Sequence, residues 1–436
     1  MRSILVGSLL VGLVGHSLAA QEPESPGSVE KMIQKLEEEL AELRRSHDEK
    51  LRLLDEERRK DRESLLDEID ALEERLSTPP ATGSPLVQRL NVFNPSITVF
   101  GNFLGRFDDE KVFNDRGDRV DDRFALREVE IDFRAAIDPW ADGVIIASYE
   151  AETPGDYQAT IEEGYVVLKR LPVLDSSPLG LKLEVGRFRP DFGRTNRIHL
   201  HDLPFPTYPP AFRTFLGEEG FSQDGVSGQF FLPTPGEDNT LEATLQWING
   251  GDLPVAAGNA SNDPALVGRL GWFFDLGEGH DLELGTSIYQ GRFNRGGGLD
   301  TALYGLDFLY RWRPYQAGQW SSFLLGGELY SAAIEQEQGA DSTPRGGFVH
   351  SQLQLDKNLY VGGRYDYAQE LENDHLATQT AGAYVTYYTT EFLRFRLGYE
   401  RVFQSDLARN EDLDTLFFEL NFIFGSHPVE PYWVNR

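Results

Sequence analysis

The stretch REVEIDFRAAIDPWADG, residues 127–143, alternates between two kinds of side chain before a tight turn at 138–142. Every second position is apolar, namely Val129, Ile131, Phe133 and Ala135. The positions between them are all charged, namely Glu128, Glu130, Asp132 and Arg134. A period of two predicts a β-strand with one apolar and one charged face. Because a packed core cannot accept unpaired charges, we predict that lipid covers the apolar face and that water lies on the other side.

The same alternation recurs between Ser96 and Gly425 and predicts about sixteen strands. The connections fall into short turns, such as 277–280, and longer polar segments, such as 250–264. This arrangement is typical of an all-β transmembrane barrel of antiparallel strands. A β-sandwich or propeller would explain the alternation but not the two classes of connection. The side chains predicted to lie at the membrane interfaces are Tyr310, Trp312, Tyr387, Tyr388 and Phe392.

The composition excludes several classes of function. The chain has 436 residues and a formal net charge of −30, which argues against a nucleic-acid partner. It contains no cysteine, which excludes disulfides, thiolate metal sites and cysteine nucleophiles. No Ser-His-Asp set stands out at positions predicted to face the lumen. We therefore expect a protein that is not an enzyme and that needs no cofactor.

A secretory signal peptide is predicted over residues 1–20, from a basic Arg2, an apolar run and a small-residue cleavage site. The apolar run at 4–15 is too short to span a bilayer, so we expect an exported mature chain. The barrel is predicted over 95–425, and residues 426–436 are predicted to form a C-terminal periplasmic tail.

Residues 28–77 are predicted to form an N-terminal α-helical coiled coil in the periplasm. They are rich in Glu, Lys, Arg and Leu, and leucines repeat every eleven residues at Leu43, Leu54, Leu65 and Leu76. A helix with such a narrow apolar stripe buries it by pairing with copies of itself. A solvated helix without a partner is the alternative. A Pro/Gly/Ser linker over 78–94 separates this helix from the barrel.

The longest predicted connection, residues 190–224, would be the third loop on the side of the long loops. A barrel of sixteen strands is too wide to be filled by its wall side chains, so a loop folded inward would narrow it. Opposite charges on the loop would then form a charged constriction, while an outer lid or adhesive loop is the alternative. The predicted constriction residues are Arg194, Arg197, His199, His201, Asp202, Arg213, Glu218 and Glu219.

Alternation also predicts which charged side chains face the lumen, namely Glu128, Glu130, Asp132, Arg134, Arg364, Arg394, Arg396 and Glu400. In the third loop, the HLHD motif at 199–202 places two imidazoles on one face of an extended segment. His199 and His201, with Asp202 as a third ligand, are therefore a candidate metal site. Hydrogen bonding within the loop and pore lining are the alternatives, because HxHD alone is a weak signal.

Two segments carry a resemblance to a known family. LEVGRFRPDFGR at 183–194 and GEEGFSQDGVSGQFF at 217–231, with the helical leader, resemble the phosphate-selective porin O and P family. The resemblance implies a trimeric sixteen-stranded barrel with an inward third loop and passive diffusion of small hydrophilic solutes. The selectivity of that family rests on inward arginines and lysines. Here inward carboxylates such as Glu242 and Glu419 accompany the arginines, so phosphate selectivity is not carried over.

The sequence therefore predicts a porin of the bacterial outer membrane that passes small hydrophilic solutes or ions. Its expected partners are membrane lipid, the solutes, two further copies of the chain in a homotrimer, and peptidoglycan through the coiled coil. One alternative is a non-conducting barrel that tethers the outer membrane to the cell wall. A second alternative is a metal-uptake barrel that uses the HLHD motif.

Overall fold

The computed structural model describes twelve ranges of the chain together with Ala41 and Arg45, which are both helical. The ranges are 95–111, 124–153, 156–171, 177–251, 253–256, 263–293, 299–314, 320–336, 341–371, 373–405, 412–426 and 431–435. Apart from those two helical residues, the predicted signal peptide, coiled coil and linker lie outside the described residues. The chain divides into two compact units, Met1–Gln88 and Arg89–Arg436, and the second contains the barrel.

Sixteen β-strands make up the second unit, as the alternation predicts. In chain order β1 to β16 are Ser96–Asp108, Phe124–Asp138, Ala141–Thr153, Asp156–Leu168, Lys182–Phe188, Gln223–Leu232, Asn239–Ile248, Ala265–Gly277, His280–Phe293, Leu299–Trp312, Phe323–Ile334, Arg345–Asp356, Leu359–Gln369, Ala377–Thr390, Leu393–Ser405 and Leu413–Gly425.

The strands form one closed antiparallel barrel in which each strand pairs with its neighbours in the sequence. β1 pairs with β16, with Val99 opposite Phe424, and this pairing closes the cylinder. Closure leaves no strand edge without a hydrogen-bonding partner, which is the condition for a sheet to cross a lipid layer. The predicted antiparallel barrel of about sixteen strands is confirmed.

The two faces of the wall differ as the period of two predicts. Many large apolar side chains are exposed on the outside, among them Ile145, Leu245, Trp247, Leu306, Leu329, Leu397 and Leu416. Buried polar side chains on the inside include Glu130, Gln246, Asp307, Glu328, Arg364, Arg396 and Asn421. Tyr387 is exposed as predicted, but Tyr388 is buried inside the barrel, because adjacent strand residues point to opposite faces. Among the helices in the described ranges, none is long and apolar enough to cross a membrane.

The connections follow the predicted two classes only in part. At one end, β2–β3, β8–β9, β12–β13 and β14–β15 are joined by tight turns. At the same end, 169–181 and 313–322 are longer, so the short class is not uniform. The longest connection is 189–222, between β5 and β6, which we call the inner loop.

The inner loop has its own aromatic core. It contains a single α-helix, α1, at Pro210–Leu216, which begins with proline in its first turn and ends at Gly217, where φ is 104°. The loop side chains Phe192, Leu203, Phe205, Phe212 and Phe215 are buried in one cluster with the wall side chains Tyr289, Tyr330, Phe348 and Tyr384. The loop therefore lies against the inward-facing side chains of the wall.

Candidate functional site

Four wall arginines hold the backbone of the inner loop. Arg394 and Arg396 donate to the carbonyl oxygens of His201 and Leu203, each at 2.7 Å. Arg127 and Arg364 donate in the same way, at 2.7 Å, to the carbonyl oxygens of Pro206 and Thr207. A loop taken out of water needs donors for its carbonyl groups, and the guanidinium groups supply them. Arg364, Arg394 and Arg396, for which we predict a position facing the lumen, are buried and contact the inner loop.

Carboxylates neutralise these arginines. Glu419 lies between Arg394 and Arg396, with N–O distances of 2.8 Å and 3.0 Å. Glu400 contacts Arg364 at 3.0 Å and accepts a hydrogen bond from the Thr207 hydroxyl at 2.7 Å. The positive charge that faces the loop is therefore largely compensated by ion pairs within the wall.

The predicted constriction residues do not pair with one another as a single ring. Arg194 contacts Glu283 of β9, and Arg197 contacts Glu184 of β5 at 3.2 Å. Arg213 and Glu218 form an ion pair within the loop, at 3.0 Å and largely exposed. Glu219 is also exposed, and its carbonyl oxygen accepts a hydrogen bond from Arg189 at 2.8 Å.

A cavity of about 450 Å³ lies between the inner loop and the wall formed by β7, β8 and β9. The loop contributes Asp191, Arg194 and Arg197 to its lining. The wall contributes Glu242, Arg269 and Glu283. Charges of both signs face the same space, which suits water and hydrated ions better than an apolar ligand.

The HLHD histidines lie in a cluster of carboxylates on the β2–β4 side of the barrel. His199 Nδ1 lies 2.9 Å from Glu130 Oε2 and 3.2 Å from Glu162 Oε2. His199 Nε2 is hydrogen bonded to Glu163 at 2.8 Å. His201 Nδ1 lies 3.7 Å from Glu130 Oε2, and Glu128 lies near both groups.

The other two lumen-facing predictions on β2 lie apart from these histidines. Asp132 and Arg134 form an ion pair with each other at 2.8 Å, and the Arg134 side chain is more than half exposed. Asp202, the predicted third metal ligand, lies 3.7 Å from His201 Nε2, on the opposite side of the ring from Glu130.

A β-bulge explains why two adjacent glutamates both face this cluster. Ile146 pairs with Glu163 and Ala147 pairs with Ile161, so Glu162 is the extra residue of β4. A bulge interrupts the alternation of side chains, and Glu162 and Glu163 are both buried. Sequence reasoning missed them because the period of two sends one of two neighbours outward. The available signal for a bulge was the pair of successive glutamates inside a predicted strand.

Arg189, at the start of the inner loop, was also missed. It is buried and donates to Glu162 at 2.7 Å and to the Tyr208 hydroxyl at 3.2 Å. Burial raises the pKa of Tyr208 to about 12. Burial opposes protonation of His199, but the carboxylates of Glu130 and Glu162 together outweigh it and raise the pKa of His199 well above its ordinary value.

The C-terminal tail also contributes to the interior. The Trp433 indole donates to the carbonyl oxygen of Asp202 at 2.8 Å, and its ring packs edge-on against Tyr360 at 5.6 Å. Gln354 donates to the carbonyl oxygen of Asn435 at 2.5 Å. Residues 431–435 of the predicted tail therefore lie inside the short-turn end of the barrel, in contact with the inner loop.

The barrel is similar to that of a solved structure. A structure of OprB from Pseudomonas putida, determined at high pH, shares 10% identity over 78% of this chain and 96% of that chain, with a TM-score of 0.52. An anion-selective porin from Comamonas acidovorans shares 12% identity over 76% of this chain and 100% of that chain, with a TM-score of 0.49. An uncharacterized protein from Aquifex aeolicus (strain VF5) is 27% identical over 351 residues, which are 71% of this chain and 70% of that protein. No family model matches the chain. The likeness to OprB shows a shared fold.

Proposed function

We propose that this chain is an outer-membrane porin that lets small hydrophilic solutes and ions diffuse passively across the membrane. The observation that carries the proposal is a closed barrel of sixteen strands with an apolar outer face and a charged interior. Such a wall suits lipid on one side and water on the other. The barrel that OprB shares is consistent with this function.

In this proposal the solutes pass beside the inner loop, through the cavity next to β7, β8 and β9. The inner loop narrows the barrel, and Arg194, Arg197, Glu242 and Glu283 set the electrostatic barrier. The arginines that would recognise phosphate in the family it resembles are engaged here, since Arg364 contacts Asp366 and Glu400. We therefore propose general diffusion without selectivity for phosphate. Assembly as a homotrimer and a periplasmic coiled coil that reaches peptidoglycan belong to the same proposal.

The aromatic packing of the inner loop supports a second candidate function. Phe192, Phe205, Phe212 and Phe215 are buried between the loop and the wall. A barrel filled in this way could be closed to solutes and act as a structural anchor, tethering the membrane to the cell wall through the coiled coil. The two functions differ in a single measurable property, conductance.

The deciding experiment is conductance of the purified, folded chain in planar bilayers. Discrete current steps, in groups of three for a trimer, are expected of a porin. A folded barrel that passes no current would contradict the porin and favour the anchor. Under a KCl gradient, Glu242→Gln is expected to shift the reversal potential toward anion permeation, because it removes a negative charge from the cavity. Glu237→Gln, in the exposed β6–β7 turn, is the matched control and should leave it unchanged.

A further inference from the structure

We propose that the histidine–carboxylate cluster inside the barrel is a binding site for a divalent cation of the zinc type. The proposed ligands are His199, Glu130 and Glu162, with His201 completing the set. They come from β2, β4 and the inner loop, which are far apart in the sequence and meet inside the barrel. The site does not depend on conduction, so it can stand or fall separately from the proposed porin.

The spacing of the ligand atoms fits one cation. Ligand atoms of His199, Glu130 and Glu162 all lie within 4.8 Å of one another. Individual contacts in the set measure 2.9, 3.2 and 3.7 Å. Two ligands at zinc bond lengths of about 2.0–2.2 Å, separated by a tetrahedral angle, lie about 3.3–3.6 Å apart. Small movements of side chains would therefore bring these atoms to coordinating positions.

Several of these atoms lack a hydrogen-bonding partner. Within the described ranges, no hydrogen bond reaches Glu162 Oε1 or His201 Nδ1, and the contact of 2.9 Å between Glu130 Oε2 and His199 Nδ1 lacks hydrogen-bond geometry. His201 is 3% exposed and Glu130 is 1% exposed, so bulk water does not replace the missing partners. A buried polar atom without a partner is costly. A cation between them would satisfy both carboxylates and both imidazoles at once.

Neighbouring side chains orient His199 and His201 for metal binding. Its Nε2 is hydrogen bonded to Glu163 at 2.8 Å, and a carboxylate can only accept from it. A cation that displaces the proton of Nδ1 leaves the Nε2 proton hydrogen bonded to Glu163, and the Nδ1 lone pair is then directed toward the cation between Glu130 and Glu162. A carboxylate behind a ligating imidazole is the usual support of a metal-bound histidine. His201 is held by Phe100, whose ring stacks on the imidazole at 4.1 Å.

The charges of the cluster call for a cation. Five carboxylates, from Glu128, Glu130, Glu150, Glu162 and Glu163, lie in the cluster with one guanidinium, from Arg189. With neutral histidines this leaves four uncompensated negative charges, and a divalent cation would reduce them to two. Two imidazoles exclude a preference for Mg²⁺ or Ca²⁺, which favour oxygen ligands. Asp202 lies beside Nε2 of His201, whereas Glu130 lies beside Nδ1. We therefore include Glu130, and not Asp202, among the proposed ligands.

The test is calorimetric titration of Zn²⁺ into the full mature chain, folded in detergent and first stripped with EDTA. We expect one saturable site per chain and a visible absorption spectrum of tetrahedral type when Co²⁺ is used as the probe. Glu163→Gln, which removes only the supporting carboxylate, is expected to weaken Zn²⁺ binding by about 10–100-fold. The double variant His199→Ala, His201→Ala should lose the site.

The matched control is His350→Ala, which removes another buried, inward-facing histidine. Folding of each variant is checked by the difference in migration between unheated and heated samples in SDS gels. The proposal is overturned if the wild-type chain shows no saturable binding, or if the double variant binds Zn²⁺ as well as the wild type. If the double variant does not fold, the Glu163→Gln variant decides. An affinity for Zn²⁺ equal to that of the wild type would then contradict His199 as a ligand supported by Glu163, and with it the proposed site.

Discussion

At the scale of single residues, the energetics of the interior rest on buried ion pairs that hold the inner loop. Arg396 is 1% exposed and serves Glu419, Thr386 and the carbonyl oxygen of Leu203 together. Replacing Arg396 by Met would leave the Glu419 carboxylate with one partner fewer and the Leu203 carbonyl without this donor. We expect Arg396→Met to lower the free energy of unfolding by about 3 kcal/mol, measured by urea titration in detergent.

The control for this prediction is Arg292→Met, the same replacement at an exposed pair. The Arg292 side chain is 53% exposed, and its contacts with Asp263 and Asp300 are 3.5 Å and 3.9 Å long. Exposed pairs contribute less than about 1 kcal/mol, so this variant should unfold close to the wild type. Equal effects of both variants would mean that Arg396 does not hold the loop.

Residue identity alone could predict only part of this interior. The alternation predicts an inward position for Arg364, Arg394 and Arg396, and all three are buried. It could not assign Glu162 and Glu163, because a bulge in β4 depends on its pairing with β3. The partners of the loop arginines were equally hidden, since Glu184 and Glu283 reach them only through tertiary folding.

At the scale of elements, the junction of β4 and β5 depends on a glycine. Gly186 has φ of 136°, and a Cβ there would lie 2.3 Å from the carbonyl oxygen of Gly164. Any other residue would strain the backbone and separate the two strands. We expect Gly186→Ala to lower the free energy of unfolding by about 2 kcal/mol, and native-state hydrogen exchange should accelerate first in β4 and β5.

Gly271→Ala provides the comparison within the same barrel. A Cβ at Gly271 of β8 would meet no atom closer than 4.0 Å, so the change should be nearly neutral. If both alanine variants were equally stable, the close approach of β4 to β5 would not constrain position 186.

The C-terminal tail contacts both the wall and the inner loop. Trp433 packs against Tyr360 and Tyr388, and its indole donates to the carbonyl oxygen of Asp202 in the inner loop. Removing this side chain loosens both the tail and the loop. We expect Trp433→Ala to destabilise the barrel by about 3 kcal/mol and to raise single-channel conductance.

The control for the tail is Trp247→Ala, on the outer face of β7, where the indole is 64% exposed. Its conductance should match that of the wild type, because the lumen is unaltered. Equal conductance of the Trp433→Ala variant and the wild type would show that the tail does not obstruct the passage.

Elements with regular structure were more predictable than those without it. The prediction of sixteen strands followed from the period of two, because many strands carry outward apolar side chains that alternate with inward polar ones. The packing of the inner loop and of residues 431–435 did not follow, because neither segment has a period that records what it touches. Tyr388 illustrates the limit of prediction from residue type. Its aromatic side chain suggested a position at the membrane interface, but its place in the alternation of β14 directs it into the barrel, where it is buried.

At the scale of the whole molecule, the outer face should behave as a surface for lipid. Leu329 is 59% exposed near the middle of β11, and Leu355 is 53% exposed near the end of β12. A charged side chain on the lipid face of a barrel costs about 2–4 kcal/mol at the midplane and about 0–1 kcal/mol near the interfaces. We therefore expect Leu329→Arg to destabilise folding into lipid vesicles by about 2–4 kcal/mol, and Leu355→Arg by less than about 1 kcal/mol.

The comparison between these two variants separates a membrane barrel from a barrel in water. In water, an arginine at either exposed position costs little, since its charge stays solvated and the two variants would unfold alike. In a bilayer the cost depends on depth, because only the middle of the wall lies in hydrocarbon. The measurement is reversible unfolding in urea from vesicles, with both variants and the wild type in the same lipid. Equal stabilities for Leu329→Arg and Leu355→Arg would contradict a membrane-spanning wall and, with it, the proposed channel.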